Sequence, residues 1–481
     1  MKIIHIIAAY KPAFIYGGPT MSVAKLCEAL GEFRGLEVRG LGVREAEALS
    51  CGGVEGNENN VESSSRLGVE MAEVELLRRK GVEGNENNVE SSSRLGVENG
   101  SSSGGGVEAF NDIDVEVLTT TANGKTELAV VAGERQLVDG VGVTYFRRLT
   151  KDHTHFSPAL LRGLRREILR YKKNPPPTPS KGGHTLAIHI HAWWNLVSIL
   201  SCWVAKWYQV PVVLSPRGML TDYTLGNRNV GFKSIIHWLI GKRLLRYCHI
   251  HATSEKEKED ILKFIKPKSI TVIANLVEGV GRSEYQEAKK QTTPQLSNST
   301  TQPTSSFKLI FLSRIEEKKG LELLFDALAK FDADWSLTIA GSGEQGYVDG
   351  LAVRVEGLGI SDRINWVGHV KNEDKFKLLA EHDLMVLTSY NENFANVVIE
   401  SLSVGTAVLL SDQVGLANYV EVNKLGWITT LNTAIIANTI RQAYDDKEKR
   451  SGIRATATEI ISRDYNTKNL ISQYCDLYHS I

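Results

Sequence analysis

The chain has 481 residues, of which 42% are hydrophobic and 23% charged. That balance excludes wholly disordered, collagen-like and coiled-coil chains and leaves room for about three domains. Lys+Arg and Asp+Glu both number 56, so the formal charge is zero and no nucleic-acid binder is implied. The five cysteines (Cys27, Cys51, Cys202, Cys248, Cys475) are scattered, with no CxxC pair and no zinc spacing. A reducing, cytoplasmic setting is the expectation.

The first apolar run, Ile3 to Ala9, is broken by His5 and has no cleavage signature. It is too short to span a membrane and fits a buried parallel strand. The helix-like SVAKLCEAL follows. Residues 44–108 then depart from the composition of the rest. Gly53 to Glu70 reads GVEGNENNVESSSRLGVE, and Gly81 to Glu98 repeats it without change. With almost no apolar residue to stack, this is predicted to be a solvated low-complexity insertion, with a short helix at Met71 to Lys80. Gly53 to Glu108 holds 11 Glu against 5 Lys or Arg. The body is left with a mild positive excess that suits anionic ligands.

Strand-like and helix-like runs alternate afterwards: VEVLTT (115–120), GVTYFRR (142–148), FSPALLRGLRREILRYKK, TLAIHIH (185–191), an apolar helix to Tyr208, and PVVLSPRG. Residues 172–184 form a Pro- and Gly-rich loop. Residues 286–306, polar and broken by prolines, read as an interdomain linker. Beyond it come KLIFLSR (308–314), GLELLFDALAKF, WSLTIAG (335–341), INWVG (364–368), DKFKLLAEH, LMVLTS (384–389), a helix from about Val397, and AVLLSD (407–412). Strands separated by helices imply α/β domains with parallel sheets and ligands at the carboxyl ends of the strands. Two such domains place a ligand cleft between them.

Several motifs fall at those strand ends. Gly341, Gly343 and Gly346 spell G-x-G-x-x-G after WSLTIA, the form of a dinucleotide-binding turn. An NAD-dependent oxidoreductase would need an acid at the end of the next strand to hold the ribose. INWVG ends at Gly368 and His369 without one. Gly17 and Gly18 follow the first strand where a helix opens, which suits an anion or an ordinary turn. Arg314 and Lys319 stand at the end of KLIFLSR, a fork and a point charge for a diphosphate. Glu392 and Glu400 lie eight apart in ENFANVVIE. Asn393, Phe394, Ala395 and Asn396 between them offer backbone N–H groups at a helix start. A carboxylate beside a diphosphate is repulsive unless it grips sugar hydroxyls, so the set suits a sugar nucleotide. His189 and His191 alternate on one strand face, with no third metal ligand evident.

Taken in order, YGGPTMSVAKL, HIHAWW, SPRGML, LSRIEEKKGLELL and ENFANVVIESLSVGTAVLLSD resemble the retaining GT-B glycosyltransferases of group 1, family 4. The resemblance implies an N-terminal acceptor-side Rossmann-like domain (1–285) and a C-terminal nucleotide-sugar domain (307–465). A terminal helix (466–481) would cross back to the first domain. It implies sugar transfer from a UDP- or GDP-linked donor to a saccharide or lipid-linked acceptor, in surface polysaccharide synthesis, with no metal or cofactor. Arg314 and Lys319 would hold the diphosphate, with Gly17, Gly18 and Gly341 bordering it. Glu392 would take sugar hydroxyls, Glu400 the ribose, and His191 would sit over the sugar. There are departures from the family pattern. Ala395 stands where glycine is usual, Arg217 where histidine is frequent, and Asn275-Leu276 replaces a frequent Asn-Gly turn. The basic, apolar stretches 156–173 and 232–248 suit either the inner face of a membrane or core helices with solvated basic faces. The remaining alternatives are the oxidoreductase and a non-catalytic sugar-nucleotide-binding relative.

Overall fold

The computed structural model describes residues 1–13, 16–32, 113–175, 186–221, 241–277 and 306–481. The repeat insertion, its expected helix at 71–80, most of the loop at 172–184, the linker up to 305 and the first part of 232–248 lie outside them.

Two sheets carry the chain. The first is built from β1 (Lys2–Ile7), β2 (Asp114–Thr120), β5 (Arg135–Val138), β6 (Val141–Phe146), β7 (Leu186–His191), β8 (Val212–Ser215), β9 (His249–Ala252) and β10 (Ser269–Val272). A two-stranded pair, β3 (Ala122–Asn123) and β4 (Thr126–Glu127), stands apart. The order across the first sheet is β10-β9-β8-β7-β1-β2-β6-β5, parallel except for β5. The second sheet contains β11 (Phe307–Leu312), β12 (Trp335–Ala340), β13 (Ile364–Gly368), β14 (Leu384–Leu387), β15 (Ala407–Ser411) and β16 (Gly426–Thr429). Its order, β13-β12-β11-β14-β15-β16, is wholly parallel. Each sheet reverses direction beside its first strand, at β1/β7 and at β11/β14. In open α/β sheets that reversal is where ligands settle.

Unbroken apolar strands are expected where helices cover both faces of a parallel sheet. Ile4 and Ile6 of β1 join one core cluster, with Ile188, Ile190 and the helix Leu196–Trp207. Ile3 joins another on the opposite face, with Ala187 and Val213. The helices start where short polar side chains accept backbone N–H groups. Ser157 accepts from Leu160 and Asn195 from Ser198, a contribution of about 1 kcal/mol per cap.

The second sheet has one continuous core, which extends into the helix Lys447–Asp464 through Ile453, Ala457 and Ile461. The next helix, Thr467–His479, leaves that core. Its buried Leu470, Ile471, Tyr474, Cys475, Leu477 and Tyr478 pack with Ile3, Leu26, Ala187, Val213 and Ile273 of the first domain.

Candidate active site

A cavity of about 1270 Å³ opens between the carboxyl ends of the two sheets. It is lined by Gly17, Gly18, Arg314, Lys319, Gly341, Glu392, Asn393, Phe394, Ala395, Asn396 and Glu400. The two turns that follow β11 and β14 bring most of them together, at the reversal of the second sheet. A Cβ placed on Gly17 would lie 3.9 Å from the Arg314 Cδ and Nε, so the glycine turn faces the arginine across the gap.

Lys319 donates to Glu392 in a close, largely buried ion pair. Burial alone would raise the Glu392 pKa. The charges of Lys319 and then Lys318 outweigh it and hold the carboxyl below its ordinary range. Lys318 itself is pulled down, first by burial. Arg314 is half exposed and meets Glu316 at 2.6 Å. Glu400, 8% exposed, accepts from Lys375 Nζ at 2.8 Å. Lys375, equally buried and part of the cavity wall, was not singled out in the sequence, where it lies inside an ordinary-looking amphipathic run.

The helix Asn396–Ser403 begins at Ala395, whose φ of 63° is left-handed and whose side chain caps nothing. The first backbone N–H groups of that helix therefore face the cavity without a side-chain partner, the standard condition for receiving an anion. Two polar chains cross from one domain to the other around this point. Asn396 Nδ2 donates to Ser22 Oγ at 3.0 Å, and Asn275 Nδ2 donates to Asn396 Oδ1 at 3.1 Å. Asn393 Nδ2 donates to Thr253 Oγ1 and to Glu257 Oε2, while Ser254 Oγ donates to the Asn393 carbonyl at 3.0 Å.

The glycines of the G-x-G-x-x-G run serve a different purpose from a dinucleotide turn. A Cβ on Gly341 would lie 1.8 Å from the Ser313 carbonyl oxygen, and one on Gly343 would lie 2.2 Å from that of Ile315. The turn after β12 is pressed backbone to backbone against the turn after β11, and the absent side chains make the approach possible.

His191 is not brought to the cavity. It is fully buried at the end of β7, with its Nε2 3.0 Å from His5 Nδ1. His5, beside His189 in register on β1, supplies the third imidazole that the sequence did not reveal. His189 bridges Tyr478 Oη (2.8 Å) and Ser215 Oγ (2.7 Å), and Ser215 also meets His251 Nδ1 at 2.6 Å. Burial lowers all four histidines, His5 and His251 to about 3. The His191 ring is packed against His5 and His189, and Tyr474 and Tyr478 of the terminal helix cover His189 and His251 beside it.

Comparisons with known proteins agree with this geometry. Residues 292–460 match the family of glycosyl transferases group 1, and residues 109–278 match Glycosyltransferase Family 4. An uncharacterized glycosyltransferase of Methanocaldococcus jannaschii is 28% identical over 35% of this chain and 44% of its own length. The N-acetyl-alpha-D-glucosaminyl L-malate synthase of Bacillus anthracis is 25% identical over 36% of this chain and 45% of its own. The chain thus spans a little under half of these two relatives. Among solved structures, Anabaena HepE in complex with UDP and glucose superposes with a TM-score of 0.61 at 17% identity, covering both chains fully. WaaG, a glycosyltransferase involved in lipopolysaccharide biosynthesis, gives 0.53 at 13% identity over 76% of this chain and 90% of its own.

Proposed function

The chain belongs to the group 1 and family 4 glycosyltransferases and has their two-domain GT-B architecture, and from that premise we propose that it moves a hexosyl unit from a UDP- or GDP-sugar to a saccharide or lipid-linked saccharide hydroxyl, with retention and without a metal. The observation that carries this reading is the sharing of one cavity by Arg314, Lys319, Glu392, Glu400 and the uncapped start of Asn396–Ser403.

In this reading the bond between the anomeric carbon and the diphosphate oxygen breaks, and a bond to the acceptor oxygen forms on the same face. The acceptor proton passes to the departing diphosphate. Arg314, Lys319 and the helix N–H groups receive the growing negative charge, in place from the start and so without reorganisation at the moment of reaction. The Lys319–Glu392 pair gives the site a switchable partner. A diphosphate competes for Lys319 and leaves the carboxylate free to accept from sugar hydroxyls. Lys375 holds Glu400 for the ribose hydroxyls. Relatives such as the lipopolysaccharide core biosynthesis glycosyltransferase LpsE of Rhizobium meliloti support a surface polysaccharide as the product class. No helix among the described residues is long and apolar enough to cross a membrane, and work at the inner membrane face stays part of the proposal.

Titration of the chain with UDP-, GDP- and ADP-sugars tests the reading, followed by donor-hydrolysis and transfer assays with those that bind. Binding of one nucleotide class and slow release of its sugar are expected. Absence of binding to both UDP- and GDP-sugars overturns it, whether or not the ADP-sugar binds. Full activity in excess EDTA is expected as well, and activity that requires an added divalent ion would overturn the metal-free assignment.

A further inference from the structure

We propose that Arg217, contributed by the acceptor-side domain, is a further phosphate-binding residue that closes on the donor diphosphate from the side opposite Arg314 and Lys319. The inference rests on the donor reading above and adds a residue to it.

Arg217 lies in the turn after β8, with a left-handed φ of 53°. A bulky residue in that region costs energy and persists where the surroundings require it. Here the turn is tied down on both sides. The Gly218 N–H donates to Glu257 Oε1 at 2.7 Å, and Arg217 Nη1 donates to Asn275 Oδ1 at 3.0 Å. The arginine lines the cavity.

Its charge is one of those in the cavity lining that no carboxylate neutralises directly. Arg314, Lys319 and Lys375 each have a carboxylate partner across the cavity wall or beside it. Among the described residues no carboxylate lies within 4 Å of the Arg217 guanidinium. Its Nε is fully buried and has no hydrogen-bond partner. The residue is only partly buried and lines the open cavity, so its charge can be met by an anion that enters there. A guanidinium offers the planar fork that phosphate oxygens fit.

The position selects the anion. Arg217 holds Asn275, Asn275 holds Asn396, and Asn396 holds Ser22, whose Oγ donates to the Gly18 carbonyl at 2.9 Å. This polar chain runs through Asn396, the first residue of the uncapped helix Asn396–Ser403. The guanidinium therefore belongs to the polar set at this helix start rather than to a separate pocket.

The test compares the full chain with its Arg217→Gln, Arg217→Lys and Arg217→His variants in calorimetric titrations. The probes are UDP, GDP, uridine and guanosine, with thermal midpoints recorded alongside. For the diphosphate that the parent chain binds, Arg217→Gln is expected to weaken binding by roughly tenfold or more. Arg217→Lys should recover part of the loss, and affinity for the bare nucleoside should stay within twofold. If Arg217→Gln misfolds, the Lys and His variants decide alone, with His expected to weaken the diphosphate more than Lys. Diphosphate affinity within twofold of the parent in every folded variant overturns the assignment while leaving the donor reading intact. Equal weakening of nucleoside and diphosphate also overturns it, since that marks a structural role. If the parent binds neither diphosphate, the donor reading fails and this inference fails with it.

Discussion

A carboxylate is useful in sugar transfer only if it stays ionised next to phosphate, and Glu392 meets that condition through Lys319 and Lys318. Replacement Glu392→Gln keeps the shape and removes the charge. Transfer is expected to fall by roughly 100-fold or more, the scale of losing one preorganised electrostatic contact, with a lowered thermal midpoint as well, since buried Lys319 keeps an amide acceptor but loses its counter-charge. Unchanged turnover would show that Glu392 has no part in the reaction. Lys375→Met leaves Glu400 buried and unpaired. Breaking such a pair from one side costs about 3 kcal/mol, so a lower urea midpoint and weaker donor binding are expected together. The double variant Lys375→Met/Glu400→Gln should recover much of the stability and none of the binding. Ala395→Gly acts on the backbone alone. The left-handed conformation costs an L residue about 1–2 kcal/mol, and the added freedom of glycine in the unfolded chain returns part of that. A gain of up to about 1 kcal/mol in chemical denaturation is expected. Arg314, Lys319 and Glu392 were legible because charge in a turn after a strand is a local property of the sequence, and Glu400 because it follows one turn into the next helix. Lys375 was not, because only the fold reveals that its helix turns a lysine toward the cavity. His191 was legible as a strand-end residue, but its burial depends on packing against His5 of another strand, 186 residues away in sequence.

The alternation of elements could be read from apolar runs, and β1, β2, β6, β7, β8, β11, β12, β13, β14 and β15 lie where those runs stand. Four strands of the sheets went unread for physical reasons. In β9 (HIHA) two histidines interrupt the apolar signal, and β10 (SITV) is only partly buried. The run GWIT of β16 is short and opens on glycine, and RQLV of β5 is a half-exposed antiparallel edge. His5, His189, His191 and His251 form one buried layer under the terminal helix. They face one another, Tyr474, Tyr478, Ser215 and the nearby Arg217 charge. Their folded pKa values lie below the unfolded value of about 6.5, so the unfolded chain binds protons first. The stability they allow is whole above about pH 6.5 and declines as the pH falls from there toward 3. Urea midpoints at pH 7.5 and 5.5 should therefore differ, the lower pH being less stable. The variant His251→Gln should narrow the gap. An identical gap in that variant would remove His251 from the account.

At the scale of the molecule, the two domains meet through hydrogen bonds at the cavity and through the helix Thr467–His479. That helix belongs in sequence to the second domain and in packing to the first. Its apolar side covers Ile3, Leu26, Ala187, Val213 and Ile273, and burial at about 1.5–3 kcal/mol per large side chain makes it comparable to the whole stability of a domain. Truncation after Tyr465 is expected to unfold the first domain and lead to aggregation. A monomeric, cooperatively melting product would contradict this. The same arrangement bears on how the protein is made. Residues 467–479 leave the ribosome after every strand of both sheets, so the earliest part of the nascent chain waits with a greasy face uncovered throughout translation. A stalled or prematurely released product is then a client for chaperones and proteases, not a smaller enzyme.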